Sequence, residues 1–315
     1  MKKNILVLFG GCSPEYPISL KSAYAVLTHI NADKYNVLAM GITKDGQWLR
    51  YNGDYENILA DTWHQNRRQC TPAFLSPDRS VHGIGELTEK GLSFTYVDAV
   101  FPVLHGKNGE DGSVQGLAEM AGVPIIGCGA LSSALCMDKY RAHQIVSLAG
   151  IQVPKAAFFD RKPTAEMLYE ETKSLSYPLF VKPLRAGSSF GISKITEKAQ
   201  LADAVDLAFR YDSEIIVEEN IEGFEVGCAV LGNDELILGR VDEIELSHGF
   251  FDYKEKYTQR TAKIHMPARI DADTEERIRK AAAKIYRALD CSGFARIDFF
   301  VDKDTGQVYI NEINT

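Results

Sequence analysis

Near the end of the chain, Arg296-Ile297-Asp298 and Glu312-Ile313-Asn314 alternate polar and apolar residues. Side chains on a strand alternate faces, so Arg296 and Asp298 share one face, as do Glu312 and Asn314 on a partner strand. Lys303-Asp304-Thr305-Gly306 between them is a turn signal, and the hairpin it makes would gather a guanidinium, two carboxylates and an amide on one surface. Carboxylates and amide oxygens are hard donors, which Mg²⁺ takes in small number together with substrate phosphates. A solvated sheet face would use the same residues.

Three other segments carry chemistry-bearing groups. Lys182-Pro183-Leu184-Arg185-Ala186-Gly187-Ser188-Ser189-Phe190-Gly191 puts a cation at a strand end, before a loop rich in backbone N–H groups and hydroxyls. These are the donors a polyphosphate needs, although a plain hairpin loop has the same composition, and the order of Lys and glycines is not that of GxxxxGK[ST]. His105-Gly106-Lys107-Asn108-Gly109-Glu110-Asp111-Gly112 and Gly10-Gly11-Cys12-Ser13-Pro14-Glu15 each follow an apolar run. In α/β folds ligands gather at the carboxyl ends of strands, which would place His105 and Glu15 at a site; each also fits an ordinary turn. The glycines fail GxGxxG, which argues against a dinucleotide-binding dehydrogenase. Gly249 to Tyr257 interleaves aromatics and charges, as a loop closing on a ligand or a surface Ω-loop would.

These groups need elements to hold them. Ile5 to Phe9 is a continuous apolar run, expected of a strand buried on both faces, and Val37 to Ile42 and Val97 to Leu104 are further strands. Ser19 to Ile30 has helical spacing, and Ala130 to Ala149 reads as one long amphipathic helix stopped by Gly150. Alternation of this kind makes an α/β unit. Beyond Tyr177, Leu179 to Val181 and Gly191 to Ile195 suggest an antiparallel pair, followed by strands over Glu214 to Glu218 and Glu225 to Leu231. Asp273-Thr274-Glu275-Glu276 resembles a capping box with Asp273 as the cap, ahead of a helix burying Ile278, Ala282, Ile285 and Leu289. Residues 51–80 match no single period.

Composition narrows the class. The chain has 315 residues, 45% of them hydrophobic and 25% charged, with a formal charge of −8. That is globular, long enough for more than one domain, and without the basic blocks of a nucleic-acid or anionic-membrane binder. Six scattered cysteines with no CxxC pair suit a reducing compartment, and Gly10-Gly11 cuts the first apolar run short of signal-peptide length. A cytoplasmic location is expected.

Taken together, Phe9 to Ala23 (FGGCSPEYPISLKSA), Leu104 to Gly116 (LHGKNGEDGSVQG), Cys136 to Lys139 (CMDK), Val181 to Gly191 (VKPLRAGSSFG), Phe250 to Tyr257 (FFDYKEKY), Gly293 to Asp298 (GFARID) and Asn311 to Thr315 (NEINT) occur in the order seen in a known family. The chain resembles the D-alanine–D-alanine ligases of the ATP-grasp superfamily along essentially its whole length. Within them, LCMDKYRAH, FEVGCAVLG and KIHMPARI resemble the vancomycin-resistance ligases of the VanG type, which make D-alanyl-D-serine.

The resemblance implies an α/β ATP-grasp fold: an N-terminal parallel-sheet domain over 1–129, with a central subdomain over 130–212 and a C-terminal one over 213–315 enclosing ATP. It implies that ATP phosphorylates D-alanine and that the amine of D-serine, or of a second D-alanine, attacks the acyl phosphate, supplying modified peptidoglycan precursors. Lys139 and Lys182, with Ser188, Ser189 and Lys256, would hold the ATP phosphates. Glu218, Glu219 and Ile221 would face adenine, and Glu225 would take the ribose. Asp298, Glu312 and Asn314 would bind two Mg²⁺, or Mn²⁺ in their place, and Arg296 would stabilise the acyl phosphate. Glu15 would bind the ammonium of the first D-alanine and His105 would lie near its carboxylate, with Ser188 and Tyr257 hydrogen-bonded to Glu15. Phe251-Asp252-Tyr253 and Tyr257 keep the loop pattern of amine-using rather than D-lactate-using relatives. Tyr16 and Pro17 depart from the commoner His and acidic residue. Homodimers are common in the resembling family, whereas nucleic-acid and membrane partners are not expected. The family also continues beyond the point matching Thr315, so a C-terminal truncation is expected.

Overall fold

The computed structural model describes residues 2–185, 190–246 and 262–315. It contains two compact units, Met1–Ala134 and Leu135–Thr315. Ser188, Ser189, Lys256 and Tyr257, together with the rest of the aromatic loop from Gly249, lie outside the described residues.

The first unit starts with β1 (Lys3–Gly10), whose Leu6, Val7, Leu8 and Phe9 are completely buried, as a strand covered on both faces must be. Helix α1 (Tyr16–His29) begins three residues before the expected start and turns Leu20, Ala23 and Leu27 onto the sheet. Strand β2 (Tyr35–Ile42) then pairs parallel to β1. The segment that matched no period folds into β3 (Trp48–Tyr51), a single turn of helix α2 (Glu56–Leu59) and β4 (Cys70–Leu75), followed by the hairpin β5 (Gly83–Thr88) and β6 (Gly91–Tyr96). Strand β7 (Ala99–Leu104) adds to the free side of β1, parallel to it, and forms that edge of the sheet before α3 (Ser113–Ala121). The sheet order is β6-β5-β4-β3-β2-β1-β7, so a parallel core β2-β1-β7 is extended on one side by antiparallel strands. The connections β2–β3, β4–β5 and β5–β6 are too short for a parallel return, which needs a crossover of a dozen residues or more.

The expected long helix over Ala130–Ala149 is two helices, α4 (Ala130–Met137) and α5 (Lys139–Leu148). Asp138 interrupts it with extended backbone (φ −90, ψ 95), and its Oδ1 accepts the Arg141 N–H at 3.0 Å as an N-cap. An Asp side chain that competes for helical N–H groups favours a cap over a helix interior. The break points Lys139 out of the first turn of a new helix.

The second unit has two sheets. One contains β8 (Ala156–Phe159), β9 (Leu179–Pro183), β10 (Ser193–Ile195) and β11 (Ile215–Glu219) in the order β10-β9-β11-β8, with α6 (Ala165–Thr172) and α7 (Leu201–Ala208) supplying its buried Leu168, Leu201 and Val205. Strand β11 follows residue 212 and pairs with both β9 and β8. The other sheet runs β14-β13-β12-β15-β16, from β12 (Gly223–Gly232), β13 (Leu236–Leu246), β14 (Ala262–His265), β15 (Phe294–Asp302) and β16 (Val308–Asn314). Helix Ala272–Ala288 packs on it through Ile278, Ala282 and Ile285, the two isoleucines each worth about 1.5–3 kcal/mol of burial. Its cap is Asp271, two residues ahead of the expected Asp273: the Asp271 carboxylate accepts the Thr274 N–H at 2.7 Å. Among the described residues, no helix is long and apolar enough to cross a membrane.

Candidate active site

In the first unit, the parallel strands β1, β2 and β7 end at a cavity of about 320 Å³ lined by Gly10, Gly11, Leu104, His105 and Asn108 among others. Glu15, the residue before α1, is buried although it is a carboxylate. Its backbone N–H donates to Ser13 Oγ at 3.1 Å, and Ser13 Oγ donates to the carbonyl of His105 at 2.6 Å. His105 Nε2 lies 3.1 Å from Ser22 Oγ, and its Nδ1 lies 4.0 Å from Glu110 Oε1. The strand-end position thus brings Glu15 and His105 together at the end of one parallel pair. Gly106 has φ +69, and a Cβ there would overlap Glu15 Oε2. Only glycine allows both that turn and that approach.

Tyr16 is equally buried. Trp63 Nε1 donates to its hydroxyl at 3.0 Å, and the hydroxyl donates to Asp61 Oδ1 at 2.8 Å. Lys44 pairs with Asp61 at 2.8 Å and stands 4.7 Å above the Tyr16 ring. Burial first, then the Asp61 carboxylate, pushes the Tyr16 hydroxyl above the ordinary phenol range, so it stays a neutral donor.

The second unit has a cleft of about 480 Å³ between its two sheets. Lys139, Lys182, Glu218, Glu219, Ile221 and Glu225 all line it, as does Glu312. Lys182 on β9 stands opposite Ile216 of β11, and its Nζ pairs with the Glu218 carboxylate, both side chains being almost wholly buried. Burial alone would push the Glu218 carboxyl up, but Lys182 and, behind it, Lys139 hold it below the usual carboxylate range. Glu218 Oε2 is buried with no hydrogen-bond partner among the described residues, so the cleft wall offers an acceptor.

The hairpin β15–β16 has the expected register: Arg296 faces Asn314 and Asp298 faces Glu312. Arg296 grips the buried Asp298 with both arms of its guanidinium, Nε to Oδ1 at 2.8 Å and Nη2 to Oδ2 at 2.7 Å. Asn314 Nδ2 donates to Asp298 Oδ2 at 2.9 Å, and Lys139 Nζ lies 3.6 Å from Glu312 Oε2. Asp298 foremost, with Glu312 and Glu225, raises the pKa of Arg296 and keeps it a cation. The donors fit a hard divalent ion. Two carboxylates sit cross-strand with an amide beside them, and a carboxylate has about four lone-pair sites, so Asp298 bound to Arg296 can still ligate. Among the described residues, no three of His, Cys, Asp and Glu converge on one point.

Two groups at this site escaped the sequence reading. Asn311 is the extra residue of a β-bulge, since Asp298 pairs with Glu312 and Phe299 with Ile310. The bulge breaks strand alternation, so Asn311 lines the cleft as Glu312 does and donates to Glu225 Oε1 at 3.1 Å. His143 on α5 is buried, with Nε2 3.0 Å from the Asn311 carbonyl. Burial lowers its pKa, so it ties α5 to β16 as a neutral ring. A lone histidine on a helix carries no sequence signal for such a role.

The cleft between the two sheets thus carries lysines and, on a hairpin, hard oxygen donors, the groups that a nucleoside triphosphate and its divalent ion need. The D-ala D-ala ligase N-terminus profile matches residues 4–128 and the D-ala D-ala ligase C-terminus profile matches residues 145–315. The D-alanine–D-alanine ligase of Acetivibrio thermocellus is 45% identical, the alignment covering 100% of this chain and 87% of that protein. The vancomycin C-type resistance protein VanC1 of Enterococcus gallinarum is 41% identical over 99% of this chain and 89% of its own. Among solved structures, the VanG D-Ala:D-Ser ligase from Enterococcus faecalis is 56% identical with a TM-score of 0.92, covering 100% of this chain and 90% of that one. The D-alanine-D-alanine ligase from Coxiella burnetii is 29% identical with a TM-score of 0.84, covering 100% and 84%. The chain belongs to the D-alanine–D-alanine ligase family, whose members are ATP-dependent ligases of D-amino acids.

Proposed function

We propose that the chain joins D-alanine to D-serine through a D-alanyl phosphate. The observation that carries the acceptor is the 56% identity to the VanG D-Ala:D-Ser ligase over the full chain, against 45% for the D-alanine–D-alanine ligase of A. thermocellus. Whole-chain matches to plain D-alanine–D-alanine ligases support the second reading, with D-alanine as acceptor. In either case the product would enter peptidoglycan precursors, and the D-serine form would underlie vancomycin resistance. The two acceptors differ by one hydroxyl, which a selective pocket must satisfy or leave unpaired at roughly 1–3 kcal/mol.

The roles follow the family resemblance. Lys139 and Lys182 hold ATP phosphates, with Ser188, Ser189 and Lys256 from the loops; Glu218, Glu219 and Ile221 meet adenine, and Glu225 the ribose. Glu15 takes the ammonium of the first D-alanine and His105 its carboxylate end. Carboxylate attack on the γ-phosphorus expels ADP, and the acceptor amine then displaces phosphate from the acyl carbon. Arg296 offsets the charge that develops in both steps, because a preorganised fork needs no reorganisation as the oxyanion forms. Asp298, Glu312 and Asn314 would hold magnesium, which when bound neutralises phosphate charge. By the resemblance, Ser188 and Tyr257 would help exclude the water that would hydrolyse the acyl phosphate. The division into 1–129, 130–212 and 213–315, and a homodimeric state, belong to the same proposal.

Equal D-alanine and D-serine, supplied together with ATP and Mg²⁺, test the acceptor by product mass. D-alanyl-D-serine as the main dipeptide supports the proposal. D-alanyl-D-alanine as the main product replaces it with the second reading, and ATP turnover indifferent to D-amino acids removes both.

A further inference from the structure

We infer that Ser13 is a positioning residue that fixes the spacing between Glu15 and His105; the inference rests on their assignment to the first D-alanine. The β1–β7 ladder ends at the pair Gly10 and Leu104. Beyond it the chains diverge, one into the turn leading to α1, where Gly11 N–H bonds back to the Ile42 carbonyl at 2.8 Å, the other into the glycine-rich loop. The Ser13 hydroxyl spans that divergence. It accepts the Glu15 N–H at 3.1 Å and donates to the His105 carbonyl at 2.6 Å, and Ser13 is itself buried.

The bridge sets more than two backbone positions. Gly106, next after His105, lies against the Glu15 carboxylate, and its N–H is held by Glu110 Oε2 at 2.7 Å. A displaced His105 carbonyl therefore moves the surface on which the Glu15 carboxylate rests. An α-amino acid presents its ammonium and carboxylate at a fixed separation, so groups that bind the two ends must keep theirs. Only a hydroxyl donates and accepts at once over these distances. Alanine does neither, cysteine has a longer and weaker thiol, and threonine keeps the oxygen.

Phosphate release is measured with D-alanine varied at saturating ATP and D-serine, for wild type, Ser13→Ala, Ser13→Cys and Ser13→Thr, beside thermal melting of each. The KM for D-alanine is expected to rise about tenfold in Ser13→Ala, less in Ser13→Cys, and to return to within about threefold of wild type in Ser13→Thr. The KM for ATP is expected to stay within about twofold throughout. Lower melting temperatures with an unchanged D-alanine KM in the Ala and Cys variants would give Ser13 a purely structural part and overturn the inference. If Ser13→Ala does not fold, the Cys variant carries the same KM test against Ser13→Thr. Wild-type turnover that ignores D-alanine, seen in the same assay before any variant is compared, overturns the ligase reading and this inference with it.

Discussion

The carboxylate of Glu15 lies where a side chain on residue 106 would have to go: Gly106 turns at φ +69 directly beneath Oε2. Replacing Gly106 with Ala asks for two things at once. The backbone must keep a left-handed conformation that costs a residue with a Cβ about 1 kcal/mol or more, and the Glu15 carboxylate must move aside. A displacement of that order at a substrate-holding group costs roughly 100-fold in rate. Gly106→Ala is therefore expected to lower kcat/KM for D-alanine by about that factor while leaving the KM for ATP nearly unchanged. Steady-state kinetics with each substrate varied in turn check this, and a D-alanine kcat/KM within threefold of wild type would show that Glu15 can shift without cost.

Tyr16 supports the same turn from behind. Its hydroxyl accepts from Trp63 Nε1 and donates to Asp61, while its ring lies against Gly10 and the Trp63 ring against Gly41. Tyr16→Phe keeps the ring and strands a buried indole N–H, a loss of roughly 1–3 kcal/mol. The expected outcome is a melting temperature lower by several degrees, measured by calorimetry. An unaltered melting curve would mean that the network contributes no net stability.

These two clusters show which parts of the molecule local sequence can reveal. Strand β1 and the hairpin β15–β16 were legible because an apolar run or a period of two is a local property, and Lys303 to Gly306 marks the turn, although the bulge at Asn311 is what sets Asp298 opposite Glu312. Glu15, His105, Lys182 and the polar groups of the hairpin were picked out from such local patterns, and the parts proposed for them come from the resemblance. Strand β4 was not legible, since Cys70–Leu75 is placed by pairing with Gly83–Thr88 and, across the long segment between them, with Trp48–Tyr51. The helix break at Asp138 had a local signal, an N-cap residue before Lys139, which the apolar spacing on either side hid. Asn311 lies beyond any periodicity argument, because a bulge is a property of the pair of strands and not of one.

The two-armed grip of Arg296 on Asp298 leads to a prediction about charge alone being insufficient. A lysine at 296 keeps the cation but cannot make two parallel hydrogen bonds to one carboxylate. Arg296→Ala is expected to lose nearly all turnover, and Arg296→Lys at least about 100-fold in kcat, with ATP binding weakened far less. Single-turnover phosphate release and nucleotide titration separate the two effects. A lysine variant with normal kcat would remove Arg296 from the acyl-phosphate step. Chelation of divalent ions should stop turnover in every variant that has any, and added Mg²⁺ should restore it.

The buried pair Lys182 and Glu218 is expected to govern acid stability in the second unit. Glu218 has a folded-state pKa below the ordinary glutamate value, held there by Lys182 against the effect of burial. A carboxyl whose pKa is lowered by folding stabilises the fold fully above its unfolded value, about 4.3, and loses that contribution as pH falls through the folded value. Wild type should therefore lose stability more steeply than Glu218→Gln as the pH is taken from about 5 to about 3, although the variant is the weaker protein near neutrality. Lys182→Met leaves the buried carboxylate without its paired cation, and should cost about 3–5 kcal/mol at neutral pH. The double variant Lys182→Met/Glu218→Leu should recover much of that, because an apolar pair needs no charge compensation. Urea unfolding of the four proteins at closely spaced pH values gives each free energy directly. Parallel pH profiles for wild type and Glu218→Gln would show that the Glu218 pKa is not lowered by folding, and a double variant no more stable than Lys182→Met would show that the charge left behind is not what destabilises it.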